Sequence, residues 1–155
     1  MSDAGRVWFR LMRLDARIRG AISGRLKAVG LSIAQCDVLT TLTENEGISQ
    51  QDLAQRLYVT KGNISGLIDR LEAAGLVERR LLASDRRSHA IHLTPAGKTA
   101  AVSAIQVQGR FVADSLGRMN LDDLAEFDRL ILALRDNVRA LQEQDKAQGA
   151  GEHAA

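Results

Sequence analysis

The sequence is short of the residues that mark disulfide-linked, secreted or membrane-spanning proteins. Its 155 residues include one cysteine and one proline, and a single cysteine excludes an internal disulfide. No apolar run approaches the roughly 18 residues of a membrane span, and the N-terminus lacks the continuous apolar region of a signal peptide. The sequence therefore predicts a cytoplasmic protein that does not bind membranes.

Aromatic residues are scarce as well, at 3% of the sequence, although hydrophobic residues as a whole make up 45%. Leu, Ile, Val and Ala must therefore fill the core of what the length predicts to be one domain, or a small domain with an extension. The net charge is only +2. Residues 49–98 carry eight basic and five acidic side chains, whereas residues 99–155 carry six and nine. A basic middle segment fits a nucleic-acid surface without establishing one.

The motifs of common enzymes are also missing. The sequence has no nucleophile elbow, phosphate loop or dinucleotide fingerprint, and its acidic residues are scattered. His89 and His92 stand three apart on a predicted strand and point to opposite faces, while Cys36 and His153 are distant in sequence. The sequence therefore predicts no enzyme, no catalytic residue, no metal site and no cofactor.

What the sequence does contain is the pattern of a helix-turn-helix in residues 49–75. Ser49 is a predicted cap for a first short helix, with Asp52 predicted to close a capping box. Thr60 is a predicted cap for the second helix, and Gly75 is predicted to end it in the left-handed conformation. One stripe of that second helix is apolar at helical spacing and is predicted to face the core: Ile64, Leu67, Ile68 and Leu71.

The opposite face of the second helix is unusually small and polar. It carries Gly62, Asn63, Gly66, Asp69 and Arg70, and each glycine costs about 1 kcal/mol of helix stability relative to alanine. Such a surface lets a helix approach the base edges of a major groove closely. The predicted DNA contacts of the helix-turn-helix are Ser49, Gln50, Thr60, Lys61, Gly62, Asn63, Ser65 and Arg70.

A β-hairpin is predicted next, with strands at 77–82 and 89–93. The connector is Ala-Ser-Asp-Arg-Arg-Ser, and a hairpin tip carrying Arg86 and Arg87 can reach phosphates or a narrow minor groove. Helix-turn-helix followed by a basic hairpin predicts a winged helix at 31–94. The predicted fold class is mainly α, with a winged helix-turn-helix and a helical dimerisation region.

Long helices are predicted on both sides of the winged helix. A first helix spans about residues 4–28, and its arginine stripe at 6, 10, 13 and 17 is either a solvated face or an anion site. Thr94 and Pro95 start a fifth helix. A sixth begins at Asn120, and the polar residues 145–155 are predicted to be a disordered tail. Residues 1–30 and 95–144 form the predicted dimerisation region.

The sixth helix carries a seam of apolar residues at alternating spacings of three and four, as in a coiled coil. A chain of this size has little else to bury that seam against, so a second copy of the chain is the predicted partner. The alternative is packing within the chain alone. The predicted dimer contacts are Leu11, Leu124, Phe127, Ile131, Leu134, Val138 and Leu141.

Three segments carry a resemblance to a known family. Asp-Arg-Arg at 85–87 followed by Leu-Thr-Pro-Ala-Gly at 93–97 is similar to the wing signature of the MarR (multiple antibiotic resistance regulator) family. Leu-Glu-Ala-Ala-Gly-Leu-Val at 71–77 resembles the end of that family's recognition helix, and residues 31–39 resemble its second helix. Tyr58 departs from the pattern, because many related turns place Gly there.

The resemblance implies a homodimer whose recognition helices enter successive major grooves while the wings straddle flanking minor grooves. It also implies that Asp85 orients Arg87, against the alternative of a loose surface pair. A ligand cleft would involve the first, second and fifth helices, for an aromatic acid or a thioester, with no ligand-binding residue assigned. The peroxide-sensing branch has a cysteine near the start of the first helix. This sequence has only Cys36, which is predicted to be buried.

The predicted function is therefore that of a transcriptional regulator that binds double-stranded DNA sequence-specifically. It would be a ligand-responsive repressor that binds a pseudo-palindromic operator as a homodimer. The alternative is a winged-helix module that binds another protein without specific DNA binding. Basic residues on the predicted wing and the sparse face of the recognition helix favour DNA.

Overall fold

Among the residues that it describes, the computed structural model of the protein contains six α-helices and one hairpin. It describes residues 2–82 and 85–152, with the backbone alone for residues 82, 85–88 and 147–152. The chain divides into two compact units, Met1–Phe111 and Val112–Ala155. The elements are α1 (Asp3–Lys27), α2 (Ile33–Glu44), α3 (Gln50–Arg56), α4 (Lys61–Ala73), β1 (Val77–Leu82), β2 (Asp85–Leu93), α5 (Pro95–Asp114), a 3-10 turn (Leu116–Arg118) and α6 (Leu121–Glu152).

Short polar side chains begin the helices, as predicted. Before α2, Ser32 and Gln35 form a complete capping box, in which each side chain accepts from the other residue's backbone N–H. Before α3, Ser49 Oγ accepts from the Asp52 backbone N–H at 3.0 Å. The Asp52 carboxylate, however, accepts from the Ser49 hydroxyl at 2.7 Å and not from its backbone N–H. The predicted box is therefore only half formed, because Asp is one methylene shorter than the Glu of a full capping box.

The core of the first unit is aliphatic. Each fully buried Leu or Ile contributes about 1.5–3 kcal/mol through its removal from water, and none of the buried residues described is aromatic. Each of the first five helices and both strands supply buried residues: Leu26, Leu39, Leu42, Leu53, Ile64, Ile68, Leu71, Val77, Ile91, Ala101 and Ala104. The predicted apolar stripe of the second helix in the motif is confirmed as the buried face of α4.

The hairpin is antiparallel, with Val77 opposite Leu93 and Leu81 opposite His89. The first strand has its predicted bounds, but the second begins at Asp85 and not at His89. The predicted six-residue connector was therefore too long. The register is irregular between Leu81 and Leu82, and such an irregularity accommodates unequal strand lengths. Residues 85–88 are strand backbone.

The segment just before α3 pairs with β2 at a single position. Only an isolated bridge joins Ser49 to Ala90. The backbone N–H of Gly47 donates to the Ile91 carbonyl, and the Ile91 N–H donates to the Ile48 carbonyl. The start of α3 is thus fastened directly to β2, because Ser49 already serves as a helix cap and the chain cannot extend further along the strand.

The start of α5 packs tightly against the end of α4. Thr94 Oγ1 accepts from the Gly97 N–H at 3.0 Å and donates to the Gly75 carbonyl at 2.6 Å. A Cβ atom at position 97 would lie 1.8 Å from the Leu76 carbonyl oxygen, so only glycine fits. Gly75 itself has φ +70°, which confirms the predicted left-handed end of α4.

The second unit is mainly α6. Asn120 Oδ1 accepts from the Asp123 N–H at 2.8 Å, as predicted for the start of this helix. The helix backbone then continues to Glu152, although a disordered tail was predicted from residue 145. Glu, Gln, Asp, Lys and Ala at 143–147 are compatible with a helix that has already formed, and most of them favour one.

Candidate nucleic-acid interface

The turn between α3 and α4 sets the angle of the helix-turn-helix. Tyr58 has φ 53° in this turn, a left-handed conformation that non-glycine residues adopt with strain. The Val59 N–H donates to the Ala54 carbonyl and closes the turn. The Tyr58 side chain is 96% exposed. Tyr58 thus takes the left-handed conformation that glycine favours at such a position, and the motif itself is intact.

The two faces of α4 differ as predicted. Ile64, Leu67, Ile68 and Leu71 are buried. Lys61, Gly62, Asn63 and Arg70 are exposed, and Ser65 and Gly66 are half-buried. The N-terminal half of α4 therefore presents one amide beside two glycines, and Lys61 is its one long charged side chain.

Neither glycine on this face is required by the packing of the chain. A Cβ atom at Gly62 would meet nothing within 4 Å, and one at Gly66 would meet only the Arg70 guanidinium at 3.6 Å. Alanine would fit at both positions and would favour the helix. The small side chains therefore leave space for an approaching partner and serve no internal contact seen in the structure.

A surface cleft of about 410 Å³ lies beside this face. It contains three of the predicted DNA contacts, Ser49, Gln50 and Lys61, which come from the starts of α3 and α4. His89 from β2 closes its wing side. The fold thus brings together residues that are up to 40 positions apart in the sequence, at the place where α3, α4 and the hairpin meet.

Two predicted contacts already have structural roles. The Ser49 hydroxyl is held by Asp52 at the start of α3. Thr60 Oγ1 accepts from the Asn63 backbone N–H at 3.3 Å at the start of α4. Thr60 keeps its O–H as a donor, so it can cap α4 and still bond a phosphate oxygen. The Ser49 O–H already donates to Asp52, so Ser49 can bond a phosphate oxygen only if its hydroxyl turns away from that carboxylate.

Arg79 on β1 forms the densest set of ion pairs and hydrogen bonds near the cleft. Its guanidinium lies 2.5 Å from the carboxylates of both Asp69 and Glu72 on α4. Its Nε donates to Gln50 Oε1 at 3.3 Å, and a longer contact of 3.5 Å reaches the Ser65 carbonyl. The side chain is only 19% exposed. One guanidinium therefore connects β1 with α3 and α4.

The predicted contacts of the wing lie outside the side chains that the structure describes. Residues 85–88 are placed as strand backbone only. The roles of Asp85, Arg86 and Arg87 in DNA binding therefore stay predictions, as does the orienting pair between Asp85 and Arg87.

The predicted dimer contacts form exposed or half-buried apolar surfaces on two helices. On α1, Leu11 is half-buried beside the exposed Val7, Trp8 and Leu14. On α6, Leu124 and Phe127 are half-buried, and the remaining seam residues Ile131, Leu134, Val138 and Leu141 are 45–58% exposed. None of the helices in the described ranges combines the length and hydropathy needed to cross a membrane.

Cys36 lies in the core and has 0% exposure. Burial, with a smaller contribution from the Asp37 charge, raises the pKa of its thiol to about 11. Because the thiolate is the reactive form, a buried thiol with a raised pKa is unsuited to sensing oxidants. The predicted burial of Cys36 is confirmed.

Two residues of the interface were missed by the sequence reasoning. In the sequence, His89 stands out only as a candidate metal ligand, and Arg79 belongs to no motif. The alternation of β1 does contain a signal, because Arg79 lies on the opposite side of the strand from Arg80. Which of these arginines turns towards α4 depends on the packing of the hairpin, and sequence spacing alone does not give that.

Comparison with known proteins agrees with this arrangement. The MarR family model matches residues 29–88, which contain α2, α3, α4 and most of the hairpin. The transcriptional activatory protein BadR of Rhodopseudomonas palustris is 31% identical over an alignment of 159 positions, covering 100% of this chain and 89% of BadR. The chain belongs to the MarR family. It is a transcriptional regulator, and the resemblance inferred from the wing signature is confirmed.

Solved structures of MarR family regulators share the fold. AbsC from Streptomyces coelicolor has a TM-score of 0.82 at 24% identity, covering 90% of this chain and 97% of AbsC. The transcriptional repressor CouR, solved with a 23-mer DNA duplex, has a TM-score of 0.73 at 29% identity and covers 83% of this chain and 90% of CouR. A second structure, with 27% identity, shows CouR from Rhodococcus jostii RHA1 bound to p-coumaroyl-CoA.

Proposed function

We propose that this MarR family regulator binds a pseudo-palindromic operator as a homodimer and represses transcription until a small molecule releases it. In each subunit α4 enters the major groove and the hairpin reaches the adjacent minor groove. Ser49, Gln50, Thr60 and Lys61 position the chain on the phosphate backbone. Asn63, Ser65 and Arg70 read base edges.

The observation that carries this proposal is the exposed face of α4. The exposed Asn63 lies between Gly62, where a Cβ atom would meet nothing within 4 Å, and Gly66, where it would meet only the Arg70 guanidinium. Asn is well suited to bidentate pairing with adenine, and the absent side chains at positions 62 and 66 allow the helix backbone close to the groove. Lys61 at the start of the same helix supplies a cation for a phosphate.

A dimer is supported by the apolar surfaces of α1 and α6. Large apolar side chains that are about half exposed at coiled-coil spacing, such as Ile131 and Leu134, are typical of a helix that is completed by another chain. Two recognition helices related by a two-fold axis read two half-sites about one helical turn apart. This geometry is the reason for proposing an inverted repeat as the operator.

The direction of regulation and the effector rest on the relatives. CouR is a repressor and binds p-coumaroyl-CoA, whereas BadR is an activatory protein. A repressor that responds to an aromatic acid or its thioester is the version we propose. A thermal-shift screen of aromatic acids and their CoA thioesters tests it, since a ligand that binds the folded state raises the melting temperature.

Replacement of Asn63 by alanine tests base reading. The wild-type protein first selects a duplex from a random-sequence pool, here termed the selected duplex. Loss of one good base contact costs about 1–3 kcal/mol, so Asn63→Ala should weaken binding to the selected duplex more than binding to random duplex. Gln106→Ala, an exposed amide on α5, is the control and should leave both affinities unchanged. Equal weakening on both duplexes would assign Asn63 to the phosphate backbone.

The salt dependence of DNA affinity distinguishes a DNA-binding protein from the alternative, a winged helix that binds another protein. A DNA-binding surface releases counterions, so affinity for random duplex should fall steeply as salt rises and the protein should be retained on heparin. A protein that neither binds heparin nor selects any duplex would favour the alternative.

A further inference from the structure

Arg79 joins the three elements on which the predicted DNA contacts lie. Its side chain starts on β1, pairs with two carboxylates on α4 and ends against Gln50 at the start of α3. A planar guanidinium offers five N–H donors in a fixed fork, whereas a lysine ammonium on its flexible stem does not fix several acceptors relative to one another. The contacts of this one side chain therefore tie the base of the wing to both helices.

The same side chain decides how Gln50 is presented. Arg79 Nε can only donate, so its partner at 3.3 Å must be the carbonyl oxygen of the Gln50 amide. That choice leaves the Gln50 NH₂ group as a donor, and no acceptor for it is present among the described residues. A donor at the edge of the cleft is suited to a phosphate oxygen or a base acceptor.

The carboxylates that hold Arg79 are themselves unfavourable for DNA binding. Asp69 and Glu72 have side chains 63% and 42% exposed on α4, and a negative charge near the groove repels phosphates. If electrostatic repulsion were their only effect, removal of these two carboxylates would raise the affinity for DNA. Their presence is explained if holding Arg79 in place favours DNA recognition by more than their negative charge opposes it.

We infer that Arg79 is a positioning residue for DNA recognition: held by Asp69 and Glu72, it fixes the wing and the Gln50 amide relative to the recognition helix. This inference rests on the proposed function. It assigns no contact between Arg79 and DNA. The other arginines whose side chains the structure describes are exposed, and none of them links the strand to both helices.

Arg79→Lys tests the inference and Arg80→Lys is its matched control. Arg80 is the next residue on the same strand, is 60% exposed and pairs with Glu78 of its own strand. Both variants keep the net charge. Arg79→Lys should bind the selected duplex about tenfold more weakly, the size of one lost groove contact, and random duplex almost as well as wild type. Arg80→Lys should match the wild type on both.

Asp69→Asn provides a second test, which does not depend on the folding of the Arg79 variant. The direction of the change in affinity for the selected duplex decides it. It removes a negative charge beside the DNA, so electrostatics alone predicts tighter binding to both duplexes at low salt. The positioning role predicts weaker binding to the selected duplex together with equal or tighter binding to random duplex. Thermal unfolding shows that each variant is folded at the temperature of the binding measurement.

The outcomes separate the inference from the proposed function. If the wild type selects no sequence, the proposed function is wrong, and this inference with it. If the wild type is selective while Arg79→Lys keeps the same ratio of selected to random affinity, the inference alone is overturned. Tighter binding of Asp69→Asn to both duplexes would likewise overturn it, because Asp69 would then be only a repelling charge.

Discussion

The two compact units solve the problem of burying apolar surface in different ways. In the first unit, α4 is 13 residues long and four of its apolar residues are buried. In the second unit, no residue of α6 between positions 121 and 146 is buried, although the helix carries Leu130, Ile131, Leu134 and Leu141. The apolar stripe of α4 is covered by its own chain, whereas the seam of α6, like the exposed apolar side chains of α1, has no such cover.

This difference separates folding from assembly. A core such as that around Leu39 and Ile68 needs only the contacts of one chain, so its stability should depend little on protein concentration. The seam of α6 would be completed by a second chain, and a dimer makes apparent stability depend on concentration. The DNA face lies on the first unit, beside the covered stripe of α4. The symmetry that would place two such faces on one operator depends on the uncovered apolar surfaces of α1 and α6.

The largest predicted effect comes from breaking the seam. Placing aspartate at Ile131 and Leu134 introduces charges into the apolar surface proposed to be buried between subunits, which is strongly unfavourable. Light scattering should show a dimer for the wild type at micromolar concentration, and monomer or insoluble protein for the double variant. Binding to the selected duplex should be lost, because a single half-site contributes too little affinity.

Ala140→Asp is the control for the seam. Ala140 is exposed on the same helix but falls outside the alternating spacing of three and four. This variant should remain dimeric and bind DNA. A wild-type protein that stays monomeric while it binds its selected duplex tightly would contradict the assembly that we propose.

The wing should give the next largest effects. If Arg87 enters the minor groove, Arg87→Ala should weaken binding to the selected duplex and reduce the preference for A·T flanks, where the groove is narrow and most negative. Asp85→Ala should have a milder effect of the same kind. Tighter binding of Asp85→Ala at every salt concentration would show that Asp85 repels DNA and orients nothing.

Arg86 should act differently from its neighbour. A phosphate contact contributes about 0.9 to the slope of log affinity against log salt for each charge neutralised. In a symmetric dimer Arg86→Ala should therefore lower that slope by roughly two units and weaken all sequences alike. A titration of affinity between low and moderate salt measures both quantities. An unchanged slope would remove Arg86 from the interface.

Much of the fold could be predicted because its signals are local. Ser32, Thr60 and Thr94 each bond a backbone N–H three residues on, and Gly75 ends α4 within the same turn. Such signals need only a few neighbouring residues. The buried stripe of α4 follows equally from a helical repeat.

The features that could not be predicted are of two kinds. Some are contacts between residues distant in sequence, and others are the lengths of elements such as β2 and α6, which composition does not determine. Arg79 meets Gln50 across 29 positions and Asp69 across 10, and no periodicity reports such a meeting. The second strand was predicted too short because polar turn-forming residues also extend strands when a partner strand is available. The backbone of α6 continues to Glu152, since a polar helix can continue once begun.

A glycine on the DNA face should show stability and binding moving in opposite directions. Gly66→Ala removes the cost of a glycine inside a helix, about 1 kcal/mol, and should raise the melting temperature by about 2–4 °C. The added methyl group should at the same time weaken binding to the selected duplex several-fold. Gly20→Ala on α1, where a Cβ also meets nothing within 4 Å, should stabilise without changing binding. Unchanged binding of Gly66→Ala would mean that α4 does not approach DNA closely.

The smallest expected effect concerns Cys36. Since burial raises the pKa of the folded thiol from 9.0 to about 11, the folded state binds a proton more tightly than the unfolded state. The stability linked to this group is therefore fully present below pH 9 and is lost as the pH rises towards 11. The free energy of unfolding of the wild type minus that of Cys36→Ala should fall over this range. At neutral pH, peroxide should leave DNA binding unchanged, and loss of binding on oxidation of Cys36 would contradict the buried, inert thiol.

The central claim is that two copies of the α4 face read one DNA site, and sequence selection tests it most directly. The wild-type protein is mixed with a random-sequence duplex pool at moderate salt, and bound molecules are recovered and sequenced. The account predicts enrichment of an inverted repeat whose half-site centres lie about 10–10.5 base pairs apart, bound about a thousandfold or more tightly than random duplex. Recovery of no enriched sequence, or of a single unrepeated half-site, would contradict it.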